Sequence, residues 1–413
     1  MGDRIRRRLA GALAAAMAAL MLSPQLGALA RLPDERVLDA GTVTVIPVSA
    51  ALQADAVSGE GDIVAQPDAQ GVALKAGKAG EGELTFRLLG LWPVKTVKLT
   101  VQPERTLVPG GQSVGVAIRT GGVVVVGNSD LGRVPSPARL AGLRSGDVIQ
   151  SVDGDAIHGA DQLSACLANG QTAHLSVLRG NEVIKCDVTP ARDERDGSYR
   201  LGAWVRDSTA GVGTLTFYDP ETGGFGALGH AITDVDTGVM MPVGEGGLYH
   251  NRVVAVKPSR AGAPGELTGD FLGETEAIGS VEKNSAYGIF GSAARPLASA
   301  LYPDGLPVAG RSQIHTGAAQ LLTTLDDGAV RAYDCEVVRL SDRSEADARA
   351  MVIRVTDPAL LERTGGIVQG MSGSPLIQDG RIIGAVTHVM VNDPAMGYGV
   401  CAETMLNAMD EAA

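Results

Sequence analysis

A serine in a tight glycine turn near the end of the chain constrains its fold and function more than any other feature. The stretch runs from Gly366 to Ile377, with Ser372 between Gly370 and Gly373. These glycines leave the hydroxyl uncrowded and let the N–H groups of Gly370 and Ser372 point the same way. Two converging N–H donors are what an oxyanion requires when a carbonyl is attacked. The stretch therefore indicates either a serine nucleophile or an ordinary hairpin turn, since glycine-serine turns are common.

Length and composition favour several β-rich domains around this turn. A chain of 413 residues is long enough for two or three domains, and its 55 glycines suit frequent turns better than helical bundles. Aromatic residues make up only 3% of the chain, so we expect a core built from Val, Leu, Ile and Ala. The net charge of −12, with no basic block outside the N-terminus, argues against nucleic acid as the main partner.

The sequence predicts no metal and no other cofactor. Neither HExxH nor a phosphate-cradling glycine loop is present. The four cysteines show no CxxC and no metal-ligand spacing. Free buried thiols are therefore the default interpretation and disulfides stay open for Cys166, Cys186, Cys335 and Cys401.

Residues 1–30 are typical of an export signal. Four arginines in the first eight residues precede the apolar run Leu9–Leu22, and the small-residue end Ala28-Leu29-Ala30 follows. The run of about 14 residues is shorter than the roughly 20 of a spanning helix. We expect an exported protein, whose N-terminus is either cleaved after Ala30 or kept as a short membrane anchor.

Residues 31–104 predict a small β-rich module. Val43–Val48 and Val94–Val101 alternate as strands do. No residue pattern here indicates chemistry, so a spacer or docking module is the simplest interpretation.

Residues 105–192 resemble a PDZ domain. The run Pro137–Gly154 contains the short helix, the glycine turn and the strand ending in Asp-Gly that are typical of this fold. Ala160–Leu167 is predicted as the helix that closes the peptide groove. The last strands of the domain are expected at Leu175–Arg179 and Val183–Val188.

A peptide-binding loop is expected upstream of that core. Its backbone N–H groups would hold a peptide carboxylate, and the strand beyond it would pair with the peptide by β-augmentation. The residues of this predicted loop are Gly111, Gln112, Ser113, Val114 and Gly115.

Residues 193–413 are long enough for a two-barrel β peptidase. A serine nucleophile needs a base, and an acid that orients the base. His230 ends an apolar strand and is favoured as the base over His388, which follows Ser372 on the next strand. For the acid, the sequence alone leaves Asp234, Asp236 and Asp357 open.

Several stretches resemble the SpoIVB peptidase family of serine proteases from endospore-forming bacteria. The resemblance runs from about residue 92 to the C-terminus and implies both the PDZ domain and the peptidase. It implies His230 as base, Asp357 as acid and Ser372 as nucleophile, in the chain order of chymotrypsin-like enzymes. The stretches that carry it are Gly211–Tyr218, Gly226–Asp236, Asn284–Gly291 and Thr356–Gly399.

The resemblance also implies a biological role. It predicts a signalling protease between the two membranes around the forespore, which cleaves itself and a membrane-bound regulator of the intramembrane metalloprotease that matures sigma-K. The alternative is an exported PDZ adaptor whose peptidase domain is inactive. Together these interpretations predict a mainly β chain with a small N-terminal module, a PDZ domain and a chymotrypsin-like two-barrel serine peptidase domain.

Overall fold

The computed structural model describes residues 34–41, 43–46, 52–58, 62–68, 71–88, 91–180, 182–271, 276–341 and 348–411. The predicted export signal, residues 1–30, lies outside these ranges. Within them, no helix is long and apolar enough to cross a membrane. The chain forms two compact units, which divide after Arg105, and the short segment Ala309–Ile314 belongs with the first.

The first unit consists of two small sheets around one core. The sheet orders are β1-β7-β6-β3 and β2-β5-β4. Side chains alternate along the strands, so Val72 and Leu74 of one sheet meet Leu84 and Phe86 of the other in a shared apolar cluster. The strands are β1 (Glu35–Asp39), β2 (Val43–Ile46), β3 (Leu52–Ser58), β4 (Ile63–Asp68), β5 (Gly71–Ala76), β6 (Gly80–Leu88) and β7 (Trp92–Gln102), and a 3₁₀ turn spans Arg311–Gln313.

The second unit contains a PDZ domain that is inserted between two long strands. Two helices belong to it, α1 (Pro137–Leu140) and α2 (Ala160–Leu167), and α2 has the predicted bounds. The strands in this part of the chain, in sequence order, are β8 (Thr106–Pro109), β9 (Ser113–Asn128), β10 (Val148–Val152), β11 (Asp155–Ala156), β12 (Ala173–Arg179), β13 (Glu182–Val188), β14 (Ala191–Arg192), β15 (Tyr199–Arg200) and β16 (Ala203–Tyr218).

The long strands β9 and β16 each contribute to two substructures. Near Val125 and Val205 they pair inside the PDZ domain, and their other halves pair from Ser113 to Arg119 inside a barrel. The PDZ core accordingly includes Val123, Val125 and Leu201. The predicted PDZ boundaries at 105 and 192 are therefore displaced, because the start of β9 lies in the barrel and the start of β16 completes the PDZ domain.

The N-terminal barrel is a closed ring of six antiparallel strands. Its order is β9-β18-β21-β22-β17-β16, and β16 returns to β9. Its apolar interior includes Val114, Val116, Phe225 and Ile289. The further strands are β17 (Gly224–Ala227), β18 (Glu245–His250), β19 (Arg252–Lys257), β20 (Glu266–Asp270), β21 (Gly279–Ser285), β22 (Gly288–Ala293) and β23 (Leu306–Pro307).

The C-terminal barrel also closes with six strands, in the order β24-β25-β26-β29-β28-β27. The two barrels and the PDZ domain confirm the predicted fold class. None of the four cysteines forms a disulfide. The remaining elements are β24 (Gly317–Thr324), β25 (Val330–Leu340), β26 (Met351–Val355), α3 (Pro358–Thr364), β27 (Pro375–Gln378), β28 (Arg381–Met390), β29 (Asp393–Cys401) and α4 (Ala402–Asp410).

Candidate active site

The serine turn of the C-terminal barrel is held by a strand of the N-terminal barrel. The Thr214 N–H donates to the Ser372 carbonyl at 2.9 Å. The hydroxyls of Thr214 and Thr216 donate to the carbonyls of Gly370 and Gly373, each at 2.8 Å. Both threonines are buried, so these bonds are shielded from water. The position of Ser372 therefore depends on both barrels.

Gly373 is required by this close approach. Its φ is +94°, and a Cβ there would lie 2.2 Å from the Thr214 carbonyl oxygen and 2.5 Å from the Leu228 nitrogen. Both atoms belong to the backbone, which cannot move aside as a side chain can. The glycine after the serine is therefore fixed by the contact between the barrels.

The turn leaves two N–H groups without an acceptor. Three neighbouring N–H groups are bonded: Met371 donates to Val368, Gly373 to Val386 and Ser374 to Met371. The N–H groups of Gly370 and Ser372 have no backbone acceptor within the described ranges. The predicted oxyanion hole needs two such free donors, so Gly370 and Ser372 stay the candidates for it.

Ser372 opens into a cleft of about 510 Å³ between the barrels. Its Oγ donates to the Thr387 carbonyl at 2.8 Å, which holds the hydroxyl at the cleft wall. His230 and His388 line the same cleft. The structure thus brings together the predicted nucleophile and both histidines that the sequence offered as its base.

His230 follows a strained turn. Leu228 and Gly229 precede it with φ of +69° and +71°, a conformation that an apolar residue such as leucine rarely adopts. The His230 Nδ1 lies 2.8 Å from the Ala231 carbonyl, which makes Nδ1 the protonated nitrogen and leaves Nε2 as the acceptor. Burial lowers the pKa of His230, so the ring is neutral at pH 7.

His388 stands beside His230, with the ring centroids 5.0 Å apart and the planes tilted by 38°. Burial, with smaller repulsion from His230 and Arg349, lowers the pKa of His388 to about 4. The described residues provide no hydrogen bond that fixes this ring as Ala231 fixes His230. His388 is therefore a neutral neighbour of the favoured base.

The structure does not bring Asp357 to His230. The Asp357 carboxylate caps α3, where Oδ1 accepts from the N–H groups of Ala359 and Leu360 at 2.9 and 3.0 Å. Its Oδ2 lies 3.3 Å from the N–H of Asp334. The predicted role of Asp357 as the acid that orients His230 is therefore not supported by this geometry, in which the carboxylate serves the helix.

The other two candidate acids are also engaged elsewhere. Asp234 is buried, accepts from Thr237 and pairs with Arg206 of β16. Asp236 accepts from Arg206 at 2.9 Å. Within the described residues, the only polar partner of the His230 ring is the Ala231 carbonyl. No group of three His, Cys, Asp or Glu side chains in these ranges could hold a metal ion.

The predicted carboxylate-binding loop, Gly111 to Gly115, lies in the N-terminal barrel and not beside the PDZ groove. The Gly111 N–H donates to Leu215, and Gly115 is paired with Val212 on one side and Tyr249 on the other. A strand with both edges paired cannot accept a peptide. The prediction for Gly111, Gln112, Ser113, Val114 and Gly115 as peptide-binding residues is therefore wrong.

A groove of the expected kind lies instead between α2 and the start of β16. Its lining includes Leu163 and Leu167 of α2 together with Leu201 and Val205 of the facing segment, and the three leucines are also part of the buried PDZ core. The carbonyls of Leu201 and Gly202 accept from Ala138 and Ser129, whereas their N–H groups have no backbone acceptor in the described part of the chain. The sequence signal for this segment is the Leu201-Gly202 pair directly before an apolar strand, and it follows the domain core, whereas the predicted loop at Gly111–Gly115 precedes the core.

Comparisons with known proteins agree with this architecture. The family model described as SpoIVB peptidase S55 matches residues 197–406, just over half of the chain, and a PDZ domain model matches residues 132–179. A probable periplasmic serine endoprotease DegP-like of Brucella suis is 33% identical over 132 residues, covering 30% of the chain and 24% of that protein.

Two further matches are shorter or more distant. Serine protease HTRA1 of Xenopus tropicalis is 42% identical over 60 residues, covering 14% of the chain and 13% of that protein. The active form of the Rv3671c protease from M. tuberculosis covers 49% of the chain and 74% of its own, at 14% identity and a TM-score of 0.30. The chain thus spans about a quarter or less of the curated relatives described here.

Proposed function

The chain belongs to the SpoIVB peptidase S55 family, and from that premise we propose that it is a serine endopeptidase with Ser372 as nucleophile and His230 as general base. One observation carries the proposal. The Ser372 hydroxyl, a neutral histidine and two N–H groups without acceptors meet at one cleft. Acyl transfer needs these three components together.

The reaction begins when the Ser372 Oγ attacks a peptide carbonyl carbon. Nε2 of His230 takes the hydroxyl proton, and the carbonyl oxygen becomes an anion that accepts from Gly370 and Ser372. Collapse of this intermediate breaks the C–N bond, and the imidazolium returns the proton to the leaving amine. Water, deprotonated by the same nitrogen, then releases the acid and restores Ser372.

The Ala231 carbonyl takes the orienting role that an aspartate has in a triad. It holds Nδ1–H and so leaves Nε2 as the unprotonated nitrogen that can accept a proton. A neutral carbonyl stabilises the imidazolium less than a carboxylate would, because it carries no net charge. We therefore propose a dyad of Ser372 and His230 and leave Asp357 outside the reaction.

The family supports a wider proposal about the substrate. We infer an exported enzyme that cleaves itself and a membrane-bound regulator in sporulation signalling toward sigma-K, between the membranes around the forespore. The periplasmic relative in Brucella suis supports export. The test is to add the purified chain to candidate regulators displayed on membranes and to map new N-termini.

A serine-reactive fluorophosphonate probe distinguishes this enzyme from an inactive PDZ adaptor. The wild type should be labelled at Ser372, the Ser372→Ala variant should not, and His230→Ala should be labelled far more slowly. Ser374→Ala, whose hydroxyl is buried in the same turn, is the matched control and should label like the wild type. A folded wild type that resists the probe would favour the adaptor.

A further inference from the structure

The strand β16 joins the PDZ groove to the catalytic cleft, and one of its edges is open along that whole path. β9 pairs with one edge of β16, and β17 joins the other edge only from Leu215 onward. Between Ala203 and Val212 that second edge has no backbone partner in the described part of the chain. Ala203 lines the PDZ groove, and Val212 lines the cleft that contains Ser372.

The hydrogen bonds of Thr214 show which residues present their backbone N–H and C=O groups to this open edge. Thr214 donates its N–H to Ser372 and accepts from Leu228, so its backbone groups point away from β9. Backbone groups alternate in direction along an antiparallel strand, and the register with β9 is regular from Ser208 to Thr214. Val212, Ala210 and Ser208 therefore also present their N–H and C=O to the open edge.

The two ends of the edge differ in chemistry, and this difference determines the direction in which a substrate chain binds. At the PDZ end, the N–H groups of Leu201 and Gly202 have no backbone acceptor among the described residues, and Gly202 has a φ of +65°, as in backbone turns that bind anions. A peptide C-terminus fits there. At the other end lies the nucleophile. A chain that pairs antiparallel to β16 runs from Ser372 toward Leu201, with its carboxylate last.

We propose that the open edge of β16 is a continuous track for the leaving-group side of the substrate, from the scissile bond at Ser372 to a free C-terminus in the PDZ groove. This inference rests on the proposed function of Ser372. The occupant is an unstructured protein tail with an apolar last residue, which matches Leu163, Leu167 and Val205 in the groove. PDZ domain and peptidase then hold one extended chain together.

The length of the track fixes the number of residues between the scissile bond and the substrate C-terminus. Ala203 and Thr214 are 11 positions apart along β16, which is roughly 36 Å at about 3.3 Å per residue. A paired substrate advances one residue for each residue of the strand from Ser208 to Thr214, and the register shift between Arg206 and Ser208 changes the count by about one residue. Cleavage is therefore expected about 11 residues before the substrate C-terminus, largely independent of the sequence in between.

Binding to the Ser372→Ala variant tests the track without relying on catalysis. The probes are a Ser- and Ala-rich 14-residue peptide ending in leucine, its last five residues alone, its C-terminal amide, and a form N-methylated at alternate residues. Trp204 on the groove strand is 68% exposed and provides the fluorescence signal. The 14-residue acid should bind at least about tenfold more tightly than the other three.

A substitution in β16 tests the same track by changing the protein instead of the peptide. Ser208→Pro removes one N–H from the open edge and leaves the bonds to β9 intact. It should abolish the advantage of the 14-residue peptide over the five-residue peptide, whereas Ser208→Ala should keep it. Equal affinity of the two lengths for the Ser372→Ala protein would overturn the track.

Cleavage by the wild type supplies the second readout. A library of random 20-residue peptides with free C-termini should be cut mainly about 11 residues from the end, and the amidated library should show no preferred distance. Cuts without a preferred distance in the free-acid library would contradict the fixed distance between the cleavage site and the C-terminus. Length-dependent binding without any cleavage would instead contradict the proposed function and leave the track standing.

Discussion

Ser372 and Asp357 belong to the same barrel and were both predicted as catalytic, but their surroundings differ. The turn around Ser372 leaves a hydroxyl and two N–H groups facing a cleft. The carboxylate of Asp357 accepts two N–H groups of α3 and lies near a third from Asp334. Ser372 lines the cleft although its hydroxyl donates to the Thr387 carbonyl, whereas Asp357 is not among the residues that line it. The contrast teaches that a predicted catalytic side chain must also lie at the cleft, and that a carboxylate committed to a helix N-terminus does not.

The strongest way to sharpen this contrast is Ser372→Ala. Peptide hydrolysis should fall by roughly a million-fold, because the nucleophile is lost while the rest of the site remains. The free energy of unfolding should change by less than about 1 kcal/mol, since only the bond to Thr387 is removed. Denaturant titration and hydrolysis assays measure the two quantities, and clear residual cleavage by pure variant would refute the assignment.

His230→Ala should cost nearly as much as the serine substitution, since the two residues act as a unit. His388→Ala should reduce kcat/KM by less than about tenfold, because its ring has no fixed partner and only borders the base. The double variant Ser372→Ala with His230→Ala should be no slower than either single variant. If His388→Ala lost more activity than His230→Ala, His388 would be the general base and His230 its neighbour.

Asp357→Ala should behave in the opposite way to Ser372→Ala. Loss of the N-cap should lower the free energy of unfolding by about 1 kcal/mol, while kcat/KM stays within about threefold. Asp357→Asn is the matched control, because asparagine also caps helices and should preserve stability. If Asp357 oriented His230, the asparagine variant would instead lose roughly 10,000-fold in activity.

The smallest expected effect is a shift in the acid limb of the pH profile. The base works only when it is unprotonated, and burial lowers the pKa of His230. The half-maximal point of kcat/KM should therefore lie below the ordinary histidine value of 6.5. A carboxylate beside the ring would instead raise the pKa of His230. A midpoint above 6.5 in the wild type that falls in Asp357→Asn would therefore show that Asp357 acts with His230 in a triad.

The sequence predicted the serine turn because its conformation is local. Glycines at 370 and 373 adopt backbone angles that other residues avoid, so the pattern itself specifies the turn. The position of Asp357 could also have been interpreted locally. An aspartate followed directly by proline is a typical helix start, with the side chain at the N-cap and proline at the first helical position.

The displaced peptide loop shows what the sequence could not specify. Gly111 and Gly115 have the composition of a carboxylate loop, but strands from more than 90 residues away pair with both sides of this segment. Such long-range pairing leaves no mark in the segment itself. The groove beside Leu201, which we propose as the peptide site, lies after the domain core in the chain, whereas the usual order of a PDZ domain places this loop before the core.

The insertion of the PDZ domain between β9 and β16 also has a consequence for folding. Their shared ladder joins Asn128 to Ala203, so an unfolded chain must close a long loop before the barrel can form. Chance closure over this length costs about 4 kcal/mol of chain entropy. A folded PDZ domain holds both ends in register and turns the closure into a short hairpin. Weakening its core with Ile149→Ala should therefore slow the refolding of the distant serine site, measured by the return of fluorophosphonate labelling after dilution from denaturant.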